Sequence, residues 1–65
     1  MQSLKVERNE VVISLTEDEL AIVNQALNEI ANGVHISEAE FQTRLGFTRT
    51  EVRELLARVS ALLKP

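Results

Sequence analysis

One pattern constrains this 65-residue chain more than any other: a hydroxyl side chain followed three positions later by a glutamate, three times over. The copies are Thr16-Glu17-Asp18-Glu19, Ser37-Glu38-Ala39-Glu40 and Thr48-Arg49-Thr50-Glu51, and each heads a periodic apolar run. At a helix start the hydroxyl accepts from the backbone N–H three residues on. The glutamate reaches back to the cap residue's own N–H. Three such boxes predict three helices.

The first is expected over about 17–32, where Leu20, Val23, Ala26, Leu27, Ile30 and Ala31 recur along one side at about 100° per residue. Ile22 widens that arc, so this helix should be central and touch neighbours on two sides. Asn32-Gly33 is the expected stop, with glycine left-handed beyond the helix end. A short second helix over about 38–45 should turn Phe41 and Leu45 inward and end at Gly46. The third is expected over about 49–63, with an inner stripe of Val52, Leu55, Leu56, Val59, Leu62 and Leu63 before Pro65 closes the chain.

The front obeys a different period. Leu4 and Val6, then Val11, Ile13 and Leu15, alternate with other residues in steps of two, the mark of extended backbone. With Arg8-Asn9 as a two-residue turn, Val6 would face Val11 and Leu4 would face Ile13. Arg-Asn is a weak hairpin turn, so a single strand over about 10–15 is the alternative. A lone two-stranded hairpin is marginal in water and needs helices or another chain to pack on. The expected fold is mainly α: an N-terminal strand or hairpin (1–15), then a three-helix, helix-turn-helix-like bundle (16–65), in a single domain.

A chain of this size buries only about 60% of the surface its unfolded form exposes. Its apolar fraction of 45% is that of a globular protein, and it has no cysteine to staple the fold. Close helix packing or a partner subunit must compensate, which brings homodimerisation forward. One histidine and no cysteine argue against a metal centre. No apolar run approaches the roughly 20 residues of a membrane span, and the first residues lack a signal peptide's apolar region, so a cytoplasmic protein is expected.

Charge is unevenly distributed. Residues 1–40 set Lys5 and Arg8 against eight carboxylates, a net −6; residues 41–65 set four arginines and Lys64 against Glu51 and Glu54, a net +3. A basic back can suit an acidic partner. In a helix-turn-helix reading, Phe41 and Leu45 form the first helix's inner face, Gly46 the turn and Phe47 an apolar plug. Val52 and Leu55 then bury the second helix against the first. Gln42 departs from the small residue such motifs favour after Phe41.

The second helix of such a motif enters the major groove, which nominates Thr48, Arg49, Thr50 and Arg53, with Arg44 beside them, as contacts to DNA or an acidic partner. Arg49, Arg53 and Lys64 share one flank of the third helix, with small Ala57 and Ser60 between them. Against DNA stand the few cations and the overall charge of −3, because affinity there comes from many phosphate contacts.

Catalysis is not expected. His35 stands alone in a loop, and no Gly-rich phosphate loop, nucleophile–base arrangement or cofactor motif is present. Glu17, Asp18 and Glu19 suit a helix N-terminus, where the macrodipole favours negative charge. Asn24, Asn28 and Asn32 form an i,i+4 ladder on the first helix, a contact surface or simply its wet face.

The segment Gln25-Ala26-Leu27-Asn28-Glu29-Ile30 with Asn32-Gly33, followed by Glu40-Phe41-Gln42-Thr43-Arg44-Leu45-Gly46, resembles a group of short bacterial proteins. They share an Ala-Leu-Asn-Glu…Asn-Gly element and a Phe-x-Thr-Arg-Leu-Gly element. The resemblance covers about half the chain and draws attention to Asn28, Glu29, Thr43 and Arg44. Kinship with partners of toxins would imply binding without catalysis.

These readings converge on a non-catalytic protein-interaction module that self-associates, with Asn28, Leu56 and Leu63 on its candidate surface and the third helix as the seam. A helix-turn-helix regulator of transcription is the alternative. No cofactor, membrane or small-molecule substrate is expected.

Overall fold

The computed structural model describes residues 1–63, so Lys64 and Pro65, expected on the basic flank and at the chain's close, lie outside the described residues. The alternating front segment forms an antiparallel hairpin of β1 (Gln2–Val6) and β2 (Val11–Ser14). Glu7 N–H donates to Glu10 O (2.7 Å) and Glu10 N–H to Glu7 O (3.4 Å), which leaves Arg8-Asn9 as the two-residue loop. Among the described residues no side-chain-bearing residue has positive φ, so the loop is not one of the mirror-image turns that hairpins favour.

Val6 faces Val11 as expected. Leu4 does not face Ile13: Ser3 does, and Lys5 faces Val12, with Leu4 as the extra residue of an irregularity between Ser3 and Lys5. The physical reason is that nothing packs on the hairpin to penalise a slip of register. Every strand residue is exposed, and neither strand lies against a helix. The hairpin's open end is tied to the first helix by the Met1 ammonium, which pairs with Glu19.

The capping boxes place the helices where the sequence puts them: α1 (Glu17–Gly33), α2 (Glu38–Leu45) and α3 (Arg49–Leu63). At α1 both halves of the box form: Thr16 N–H donates to Glu19 Oε1 (2.9 Å) and Glu19 N–H to Thr16 Oγ1 (3.1 Å). At α3, Thr48 N–H donates to Glu51 Oε1 (2.9 Å) and Glu51 N–H to Thr48 Oγ1 (3.1 Å). At α2 only half forms, because Glu40 leaves its box to accept from Arg44 (2.8 Å). Gly46 terminates α2 in the left-handed conformation (φ 79°), and its N–H donates to Gln42 O (2.8 Å). Gly33 does not behave this way. It stays helical as the last residue of α1, and Val34 beyond it is extended.

Most of the packing lies between α1 and α3, whereas α2 meets α3 only narrowly. Ser60 Oγ donates to Asn24 Oδ1 across the α1–α3 seam (2.6 Å), so the asparagine ladder begins as an internal contact. Only Ala31 and Phe41 are fully buried apolar residues among those described. Leu20, Val23, Leu27, Ile30, Val52, Leu56 and Val59 are half-buried. Ile22, whose place in the apolar arc predicted a second neighbour for α1, is exposed.

The result is a plate of 36 × 31 × 15 Å with a radius of gyration of 13.3 Å, against about 11 Å for a close-packed chain of this length. Its accessible surface is 5314 Å². A folded monomer of this mass exposes about 4,200 Å², so roughly 1,100 Å² is in excess. No helix among the described residues is long and apolar enough to cross a membrane.

Candidate functional site

Two features dominate the α2–α3 corner, and the first removes a predicted contact residue. Arg49, expected on the wet flank of α3, turns inward and is only 8% exposed. Its Nε donates to Glu38 Oε1 (2.9 Å), its Nη1 to Ala31 O and Val34 O (both 3.0 Å), and its Nη2 to Ile36 O (3.0 Å). The guanidinium lies over the Phe41 ring, 4.5 Å from its centroid.

The cause is the end of α1. Its last carbonyls have no intrahelical donors, and its last turn holds no basic residue. Arg49 arrives from α3 to supply both donors and positive charge. Ala31 O is thereby satisfied and the extended Val34–Ile36 carbonyls are gathered in, without a left-handed glycine. A fork of five N–H groups suits several convergent carbonyls in a way a lysine's ammonium does not.

The second feature is a cleft of about 310 Å³ lined by Leu27 and Ile30 of α1, Leu45 of α2, Phe47 of the turn, and Glu51, Val52 and Leu55 of α3. The sequence assigned these apolar residues to a closed core. Instead Leu45, Phe47 and Leu55 are 42%, 61% and 49% exposed. Phe47 does not plug the turn, because α2 is a two-turn helix held at its start by Arg49 and Phe41. That helix meets α3 only narrowly. The single charge in the lining, Glu51, is engaged by Thr48: its carboxyl sits below the ordinary value because the Thr48 N–H, then the Thr48 hydroxyl, donates to it.

The other predicted contacts disperse. Arg44 is paired with Glu40 and Thr48 is occupied in its cap, while Thr50 and Arg53 are exposed. Arg53 and Arg58 have no ion-pair partner among the described residues. Of the candidate interaction surface, Asn28 is half-buried and accepts from Asn32 (2.9 Å), Leu56 is half-buried, and Leu63 is 37% exposed at the end of α3. These residues do not form one patch with the cleft. His35 is an exposed loop residue.

No protein-family model, curated protein or solved structure matches this chain.

Proposed function

We propose that this chain is a non-catalytic protein-interaction module that works by self-association. The observation that carries the reading is the uncovered apolar surface: the open cleft together with a hairpin no helix touches. An open apolar groove beside exposed strand residues that nothing else covers supports an association site. The excess of roughly 1,100 Å² over a compact monomer is of the size a stable interface removes from each partner, about 800 Å². The cytoplasmic setting expected from the sequence belongs to the same proposal.

The helix-turn-helix alternative has less to support it than the sequence offered. Of its five candidate contacts Arg49 is turned inward, Arg44 is paired and Thr48 caps α3. That leaves too few free cations for strong phosphate binding.

Sedimentation across a range of concentrations tests the proposal. A dimer is expected, shifted toward monomer by Leu55→Asp with helical content retained, since Leu55 is half exposed and a carboxylate there is costly only when covered. A chain that stays monomeric at every concentration would overturn it. DNA binding predicts a retarded duplex at low salt, lost in Arg53→Ala.

A further inference from the structure

Resting on the self-association reading, we infer the arrangement of the dimer: two copies cross with their α1 helices antiparallel about a twofold axis near Ala26, and each copy's hairpin covers the other's cleft.

The two uncovered surfaces belong to opposite ends of α1. The hairpin springs from its N-terminal end, where the Met1 ammonium meets Glu19. The cleft flanks its C-terminal half through Leu27 and Ile30. A helix of 17 residues is about 25 Å long, and within one copy the hairpin touches none of the cleft residues. A twofold reverses α1 in the second copy and brings the hairpin end of one over the cleft end of the other. An isologous interface uses both surfaces twice, which is what two unlike patches on one chain require.

The strip between them is also apolar and open. Ile22, Ala26 and Ile30 lie four residues apart and so share one face of α1. Ile22 is 69% exposed and Ala26 is exposed, while Ile30 enters the cleft. This row runs from the hairpin end of α1 to the cleft. Ala26, near the helix midpoint, is small enough for two helices to approach closely where they cross.

Size selects this arrangement over simpler ones. A standard interface engages about 20–30 residues a side. Pairing of the free β2 edges would engage four residues on each chain, and cleft against cleft would engage seven. One face of the hairpin, the Ile22–Ala26 row and the seven residues of the cleft, used together, come closer to that range than either. Charge favours the antiparallel crossing over a parallel one, which would set the two acidic first turns of α1 (Glu17, Asp18, Glu19) side by side.

The absence of native cysteine allows a direct test with the full chain. Val11→Cys and Leu55→Cys variants are mixed, allowed to exchange subunits, and oxidised mildly while sedimentation reports the assembly. The disulfide joining a Val11→Cys chain to a Leu55→Cys chain is expected severalfold above either like-with-like product, and Ala26→Cys alone should link to itself. A dimer in which Val11→Cys links mainly to itself would overturn the arrangement in favour of strand-edge pairing and leave self-association standing. A dimer in which Leu55→Cys links mainly to itself would overturn it in favour of facing clefts. A monomer by sedimentation, with no cross-links, would overturn both.

Discussion

Removing the Arg49 side chain should cost more than any other single change on the surface of α3, and its magnitude follows from its partners. Arg49→Ala leaves the carbonyls of Ala31, Val34 and Ile36 without their donor and uncovers one face of Phe41. Hydrogen bonds to a charged group contribute about 1.5–3 kcal/mol each, but bonds sharing one side chain are not additive. Water can also reach the loop carbonyls once the guanidinium is gone. The stack on Phe41 contributes about 0.5–2 kcal/mol more. A net loss of about 3 kcal/mol is expected, against a total of about 3–10 kcal/mol for a domain of this length. Arg49→Lys keeps the charge but not the fork, and should lose about 2 kcal/mol. Glu38→Gln should cost under about 1 kcal/mol, because the Glu38 side chain is 71% exposed and water already screens it. Urea unfolding followed by circular dichroism at one fixed protein concentration measures all three. Arg53→Ala, within about 0.5 kcal/mol of the parent, is the solvated control. An Arg49→Ala variant as stable as that control would refute the account of Arg49 as the clasp on α1.

The two glycines should respond in opposite directions. Gly46→Ala is expected to cost about 1–2 kcal/mol although nothing lies within 4 Å of the added carbon, because φ there is 79° and the penalty is one of backbone alone. Gly33→Ala should raise stability by about 0.5–1 kcal/mol, since its backbone is helical and the nearest atom, Glu29 Oε2 at 3.1 Å, ends a flexible side chain. Acid should loosen the starts of α1 and α3 first. Glu19 is held below its ordinary value by the Met1 ammonium and then the Thr16 N–H, and Glu51 by the Thr48 N–H and hydroxyl. A carboxyl depressed in the folded state stabilises above its unfolded value and loses that contribution as pH falls through the folded one. Helical content measured between pH 5 and 2 should therefore fall, and Glu19→Gln with Glu51→Gln should flatten the profile.

The helices were legible because their signals are local. A hydroxyl and a glutamate three residues apart satisfy N–H groups on the same turn, so no knowledge of the rest of the fold is needed to place Thr16, Ser37 or Thr48. Gly46 was legible for the same reason. Gly33 was not, because whether a helix ends on a left-handed glycine depends on what else can reach its carbonyls, and here a side chain 16 positions on does so. Arg49 illustrates the same limit more sharply. Its type and position at the head of α3 are those of a wet arginine or a base-reading one. Only the convergence of Ala31, Val34 and Ile36 carbonyls in space distinguishes the third role. The cleft was misread for a complementary reason: the periodicity of Leu45, Phe47 and Leu55 reports that a face is apolar, not whether this chain or another covers it.

That distinction has a thermodynamic consequence. What orders the corner of a single copy is largely polar: an arginine clasp, three capped helix starts and a hydroxyl–amide bond between α1 and α3. Fully buried apolar side chains are few among the described residues, and part of the hydrophobic gain available to the sequence is unrealised while the hairpin and cleft stay uncovered. On the proposed dimer, association draws on folded copies, and stability must depend on concentration. For a dimer unfolding to two chains, each tenfold rise in protein concentration adds about 1.4 kcal/mol per dimer. With about 2.1 cal/mol/K per residue of unfolding entropy over two copies, that is a rise of about 5 °C in Tm per decade. Calorimetry over two decades of concentration measures the slope directly. A midpoint that does not move would mean each copy stabilises itself alone, and the open apolar surface would need an explanation other than a second copy.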